Sequence, residues 1–113
     1  MSRLLRTSDY FIADFDHQFR WFLERASEAV ARRYLEAVWE TLQDLSAHPG
    51  LGRRRSFRHP ELAIVHSFRV HHPFETHLIF YRFSDAELTI ERLMSGRRDL
   101  ARRLREPPSA DSD

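Results

Sequence analysis

The chain has no cysteine and no lysine, and only three glycines among its 113 residues. Without cysteine there is no disulfide framework, no thiolate nucleophile and no thiolate zinc site. Without lysine there is no amine that burial could turn into a general base. The glycines form neither a phosphate-cradling loop nor a Gly-x-Ser-x-Gly elbow. No apolar run approaches the ~18 residues of a membrane-spanning helix. The N-terminus passes from Leu4-Leu5 straight into polar Thr7-Ser8-Asp9, without the apolar core of a secretory signal. A cytoplasmic protein with no membrane association is expected, and no cofactor is implied. Seven histidines are present, four of them at 66, 71, 72 and 77. No HxxxH pair falls on a helix and no carboxylate completes a set, so no metal site is expected.

What remains is arginine. All eighteen basic residues are Arg, and they are unevenly placed. Residues 1–48 carry a net −2, residues 49–105 carry +6, and residues 106–113 carry −3. Guanidinium forks grip phosphate and carboxylate through paired hydrogen bonds and never lose their charge at neutral pH. The second half therefore predicts a surface for an acidic partner.

Length allows one domain. Its expected extent is 1–105, with residues 106–113 as a disordered acidic tail. Arg3–Thr7 reads as a short first strand. Ser8-Asp9 is a helix start, a hydroxyl cap followed by a first-turn carboxylate. Beyond it Phe11, Phe15, Phe19, Phe22 and Ala26 trace one helical stripe with Ile12 and Leu23 alongside, while Asp14, Asp16, Gln18, Arg20, Glu24 and Arg25 fill the other face. Ser27-Glu28 opens a second helix with Ala31, Tyr34 or Leu35, Val38, Leu42 and Leu45 inward, ending at His48-Pro49-Gly50. The short junction predicts an antiparallel helical hairpin. Trp21 and Trp39 lie at the margins of their stripes, suited to contact with a partner.

Pro49 to Pro60 reads as a solvated loop despite four arginines between positions 53 and 58. From Ile64 to Val70 the apolar period becomes two, as in a half-buried strand. Leu78–Phe83 is nearly continuously apolar, as in a central strand covered on both faces. Ser84-Asp85-Ala86-Glu87 turns the chain into a last strand, Leu88–Met94. Ser95-Gly96 breaks it, and Arg97–Arg105 reads as a short basic helix. The fold class is α+β: an N-terminal strand and a helical hairpin packed on a small antiparallel sheet, with a short C-terminal helix.

The order of these features resembles the RelE/ParE superfamily of type II toxin–antitoxin toxins, nearer the ParE (plasmid-stabilisation) branch. Three stretches carry the resemblance, which runs from about Leu4 to Leu104. Ala31-Arg32-Arg33-Tyr34-Leu35 through Leu42 to Pro49-Gly50-Leu51-Gly52 is similar to the family's second helix and its L-x-x-x-P-x-x-G exit. Ser67-Phe68-Arg69-Val70 with Leu78-Ile79-Phe80-Tyr81-Arg82 resembles its middle strand pair. Ile90-Glu91-Arg92-Leu93-Met94-Ser95-Gly96-Arg97-Arg98-Asp99-Leu100 resembles its closing I-x-R-[VI]-L-H-G-x-R-D-L. The resemblance implies a toxin that inhibits DNA gyrase, neutralised by a cognate antitoxin in a hetero-oligomer, with the antitoxin over the hairpin and sheet. Target contacts are then expected from Arg69, Arg82, Arg92, Arg97 and Arg98, and antitoxin contacts from Trp21 and Trp39. The alternative within the superfamily is a ribosome-dependent mRNA endonuclease, with Arg69, Arg82 and Arg98 on phosphate and His66 or Tyr81 moving protons. A third reading is a non-toxic member that only binds its antitoxin. RNA-cleaving relatives usually use Lys and Arg with a terminal Tyr or His. This chain has no Lys, no Tyr after Tyr81, His66 in place of an arginine and Ser95 in place of a histidine. Those departures favour binding over catalysis. Arg98-Asp99 is also a candidate structural ion pair.

Overall fold

The computed structural model describes residues 3–55, 64–96 and 100–108. Strand β1 (Leu4–Thr7) leads into helices α1 (Asp9–Arg25) and α2 (Glu28–Ala47). A 3₁₀ turn at Pro49–Leu51 precedes β2 (Arg53–Arg55), β3 (Val65–Arg69), β4 (His77–Phe83), β5 (Glu87–Ser95) and α3 (Leu100–Arg105). Both long helices start where their caps predict. The Ser8 hydroxyl accepts from Phe11 N and the Ser27 hydroxyl from Val30 N, each satisfying one otherwise unpaired first-turn donor.

The five strands lie in the order β1-β5-β4-β3-β2. The sheet is mixed, since β1 runs parallel to β5 and every other pair is antiparallel. An all-antiparallel sheet was expected. The hairpin α1–α2 carries the chain to the far edge, and consecutive antiparallel strands then step back until β5 reaches β1. The Pro49–Pro60 stretch also departs from expectation. Arg53–Arg55 is not loop but an edge strand in register with β3, Arg53 opposite Ser67 and Arg55 opposite Val65.

The hairpin covers one face of the sheet. Phe11, Tyr34, Val38, Leu42 and Leu45 pack there against Ile79, Tyr81, Leu88, Ile90 and Leu93. On the other face Leu104 of α3 closes a smaller cluster with Val65, Phe80 and Met94. Strand β4 is therefore buried on both sides, as its continuous apolar run predicts. Helix α1 is rotated from its expected orientation. Phe11 is buried and Phe15 and Phe22 pack on the core, but so face Asp14 and Gln18, while Ile12, Leu23 and Ala26 are exposed. Leu35 is likewise exposed, leaving Tyr34 as the inward residue of α2.

Candidate functional site

Residues paired across strands share a face of the sheet. His66 pairs with Arg54 and Tyr81, whereas Arg69 pairs with Leu78. The hairpin side thus receives Arg54, His66, Phe68 and Tyr81. The opposite side receives Arg53, Arg55, Ser67, Arg69 and Arg82, together with the Val65–Phe80–Met94 cluster. The expected catalytic group is split by the sheet. Its arginines Arg69 and Arg82 stand on one side, and its proton movers His66 and Tyr81 on the other.

Tyr81 is fully engaged inside the protein. Its hydroxyl donates to Pro49 O at 2.6 Å and accepts from Gly52 N at 2.9 Å. Burial pushes its pKa above the ordinary tyrosine value against the opposing effect of the Gly52 donor. Gly52 has an unexceptional φ of −76°. Its missing side chain is explained instead by space: a Cβ there would meet the Tyr81 hydroxyl and would lie 2.8 Å from Ser67 O. The proline and glycine of the helix exit and the tyrosine of the middle strands thus form one structural unit.

His66 stacks on Tyr81 at 5.5 Å between ring centroids and tilts against Phe83 at 5.0 Å. Its Nδ1 is buried without a hydrogen-bond partner. Burial, and then the charge of Arg54, hold its pKa below the usual histidine value. His71 Nε2 donates to Asp44 Oδ2 at 2.8 Å with Glu40 at 3.6 Å from its Nδ1, His72 meets Glu75 at 2.7 Å, and His77 Nδ1 meets the Tyr34 hydroxyl at 2.9 Å. Burial, with the charge of Asp14 adding to it, drives the Tyr34 pKa far upward. Among the described residues no three His, Cys, Asp or Glu side chains are grouped to hold a metal ion.

Arg92 does not belong to a target-binding surface. It is 5% exposed and grips Asp14 through two bonds, Nε to Oδ2 at 2.8 Å and Nη2 to Oδ1 at 3.0 Å. Asp14 Oδ2 also accepts from Leu93 N at 3.0 Å. Arg92 Nη1 reaches the carbonyls of Arg103, Leu104 and Glu106, capping the end of α3 with positive charge. Periodicity gave no sign of this, because it assigned Asp14 to the solvent face of α1. Glu106, at the head of the expected disordered tail, is held by the same guanidinium, while residues 109–113 lie outside the described residues.

Of the other expected contacts, Arg82 donates to Ile64 O and is half-buried. Arg69 is exposed. Arg97, Arg98 and the Arg98-Asp99 pair lie outside the described residues. Trp21 and Trp39 are 39% and 55% exposed on the hairpin, with the Arg25 guanidinium 5.8 Å from the Trp21 ring. The sequence reading missed Arg53 and Arg55, which β2 delivers to the face of Arg69. Their alternation across a three-residue strand is the signal that could have found them.

The family model for the ParE toxin of the type II toxin–antitoxin system parDE matches residues 5–100. The chain belongs to the ParE toxin family. Toxin ParE3 of Caulobacter vibrioides is 34% identical to it over 104 residues, spanning 92% of this chain and 96% of that one. A chain of the chromosomal ParDE system from P. aeruginosa superposes with a TM-score of 0.66 at 16% identity, covering 83% of this chain and 96% of its own. At so low an identity the likeness is one of fold, the α+β architecture. Four of the positions through which the resemblance is visible, Pro49, Gly52, Tyr81 and Arg92, are occupied in holding the fold together.

Proposed function

We propose that this ParE-family chain is a toxin that inhibits DNA gyrase by binding it, without hydrolysing a substrate, and that a cognate antitoxin neutralises it. The observation that carries this reading is the division of polar groups by the sheet. A phosphodiester held by Arg69 and Arg82 is out of reach of His66 and Tyr81, and the Tyr81 hydroxyl already has both its partners. General acid–base cleavage needs the proton-moving group within hydrogen-bond reach of the reacting oxygen. The family membership supplies the toxin and the expectation of an antitoxin, for which the exposed Trp21 and Trp39 of the hairpin are the proposed contacts.

Induction of the chain alone in bacteria tests the proposal. Growth arrest with an intact mRNA pool, relieved by co-expression of the cognate antitoxin, is the expected result. Messenger RNA cut within translating ribosomes would overturn the binding mechanism, and unimpaired growth at good expression would overturn toxicity altogether. Trp21→Ala with Trp39→Ala is expected to leave the arrest intact and to abolish its relief by the antitoxin.

A further inference from the structure

Strand β2 ends the sheet, and among the described residues no strand lies beyond it. Arg53 and Arg55 project from it to the face opposite the hairpin, where Arg69 joins them from β3. The three line a groove of about 380 Å³ with Leu51, Ser67 and Leu78. No carboxylate is among the groove's described lining residues. Arg55 Nε donates to Ser67 Oγ at 2.8 Å, which aims the guanidinium across the groove. Burial and then the nearby charge of Arg53 lower the Arg55 pKa. Glu75, whose carboxylate feels Arg69, is already hydrogen-bonded to His72.

Building on the gyrase-binding reading, we propose that this groove docks an extended acidic segment of the toxin's target protein, added as a strand alongside β2. Edge strands are templates for strand addition, in which main-chain bonds supply affinity and alternate side chains supply specificity. Alternate residues of one strand repeat every ~6.6 Å. Carboxylates on alternate residues of an added strand therefore repeat at the spacing of Arg53 and Arg55, and each guanidinium fork can take one. Single-stranded nucleic acid is the weaker fit, because its binding grooves add aromatic platforms for base stacking. Here Phe68, at the groove wall, is packed against the hairpin-side core. The antitoxin contacts proposed above, Trp21 and Trp39, are on the hairpin and not in this groove.

Two measurements on the purified full chain test the proposal. The first is the affinity for a hexapeptide of alternating glutamate and valine, beside a lysine–valine counterpart and an oligothymidylate. Binding of the acidic peptide alone, weakening with salt and about tenfold weaker in the Arg53→Gln, Arg55→Gln, Arg69→Gln variant, is expected. Preference for the oligothymidylate, or an affinity unchanged in the variant, would overturn it. The double variant Arg53→Gln, Arg69→Gln keeps the Arg55–Ser67 bond and guards against misfolding as the cause. The second is gyrase inhibition. The variant is expected to lose it while still binding the antitoxin. A variant that inhibits like the wild type would overturn the docking site and leave the gyrase reading intact, whereas a wild-type chain that never inhibits would overturn that reading.

Discussion

At the residue scale the fold rests on polar groups that are buried and hydrogen-bonded. Arg92 and Asp14 form a pair in which each partner has further obligations, to the end of α3 and to Leu93 N. Removing one side strands a charge in the core, and Arg92→Ala or Asp14→Ala is expected to cost ~3–5 kcal/mol in urea unfolding. Asp14→Leu with Arg92→Met should recover a large part of that loss, because apolar pairs of similar size replace buried ion pairs at little net cost. Tyr81→Phe leaves Pro49 O and Gly52 N without their shared partner and is expected to cost ~1–3 kcal/mol. Gly52→Ala forces a methyl group against the same hydroxyl. The double variant should therefore be more stable than the sum of the single effects, a coupling that unfolding midpoints can measure.

His66 gives a pH prediction at the same scale. Its folded pKa is depressed, so on acidification the unfolded chain takes up a proton first, near the ordinary histidine value of ~6.5. Its contribution to stability is present above that pH and is lost as pH falls through the folded value. His66→Phe, which keeps a ring between Tyr81 and Phe83, should flatten the decline in unfolding midpoint between pH 7.5 and 5 relative to the wild type. An unchanged slope would show that His66 takes up its proton as readily in the folded chain as in the unfolded one, against the prediction.

At the scale of elements, the two capped helices were legible because capping and periodicity are local. Ser27→Ala is expected to cost ~1 kcal/mol, as an N-cap loss usually does. Ser8→Ala should cost more, because that hydroxyl also donates to Glu91 O at 2.7 Å, tying the start of α1 to β5. The unfolding midpoints of the two variants compare the effects directly. The edges of the sheet were less legible. β1 has only Leu4 and Leu5 to announce it, and its parallel partner β5 begins eighty residues later. β2 is three arginines, and its strand conformation comes from pairing with β3 rather than from any hydrophobic pattern. The inward turn of Asp14 was illegible for a related reason. A helical stripe averages over apolar residues, whereas Asp14 is drawn in by one guanidinium seventy-eight positions away.

At the scale of the whole molecule, the uneven charge visible in the sequence resolves into a two-sided protein. One side carries the helical hairpin with its exposed tryptophans. The other carries Arg53, Arg55 and Arg69 beside the small cluster closed by α3. The family resemblance was readable from motif order, but Pro49, Gly52, Tyr81 and Arg92 in those motifs hold the frame, and of the three surface arginines only Arg69 lies within a motif. The most direct test of a toxin that binds gyrase rather than cutting a substrate is the supercoiling of relaxed plasmid by purified gyrase and ATP, with and without the chain. The chain is expected to suppress supercoiling and to accumulate gyrase-linked linear plasmid, and to leave ribosome-bound mRNA uncut in a parallel reaction. Undisturbed supercoiling together with cleaved mRNA would contradict the gyrase-binding reading.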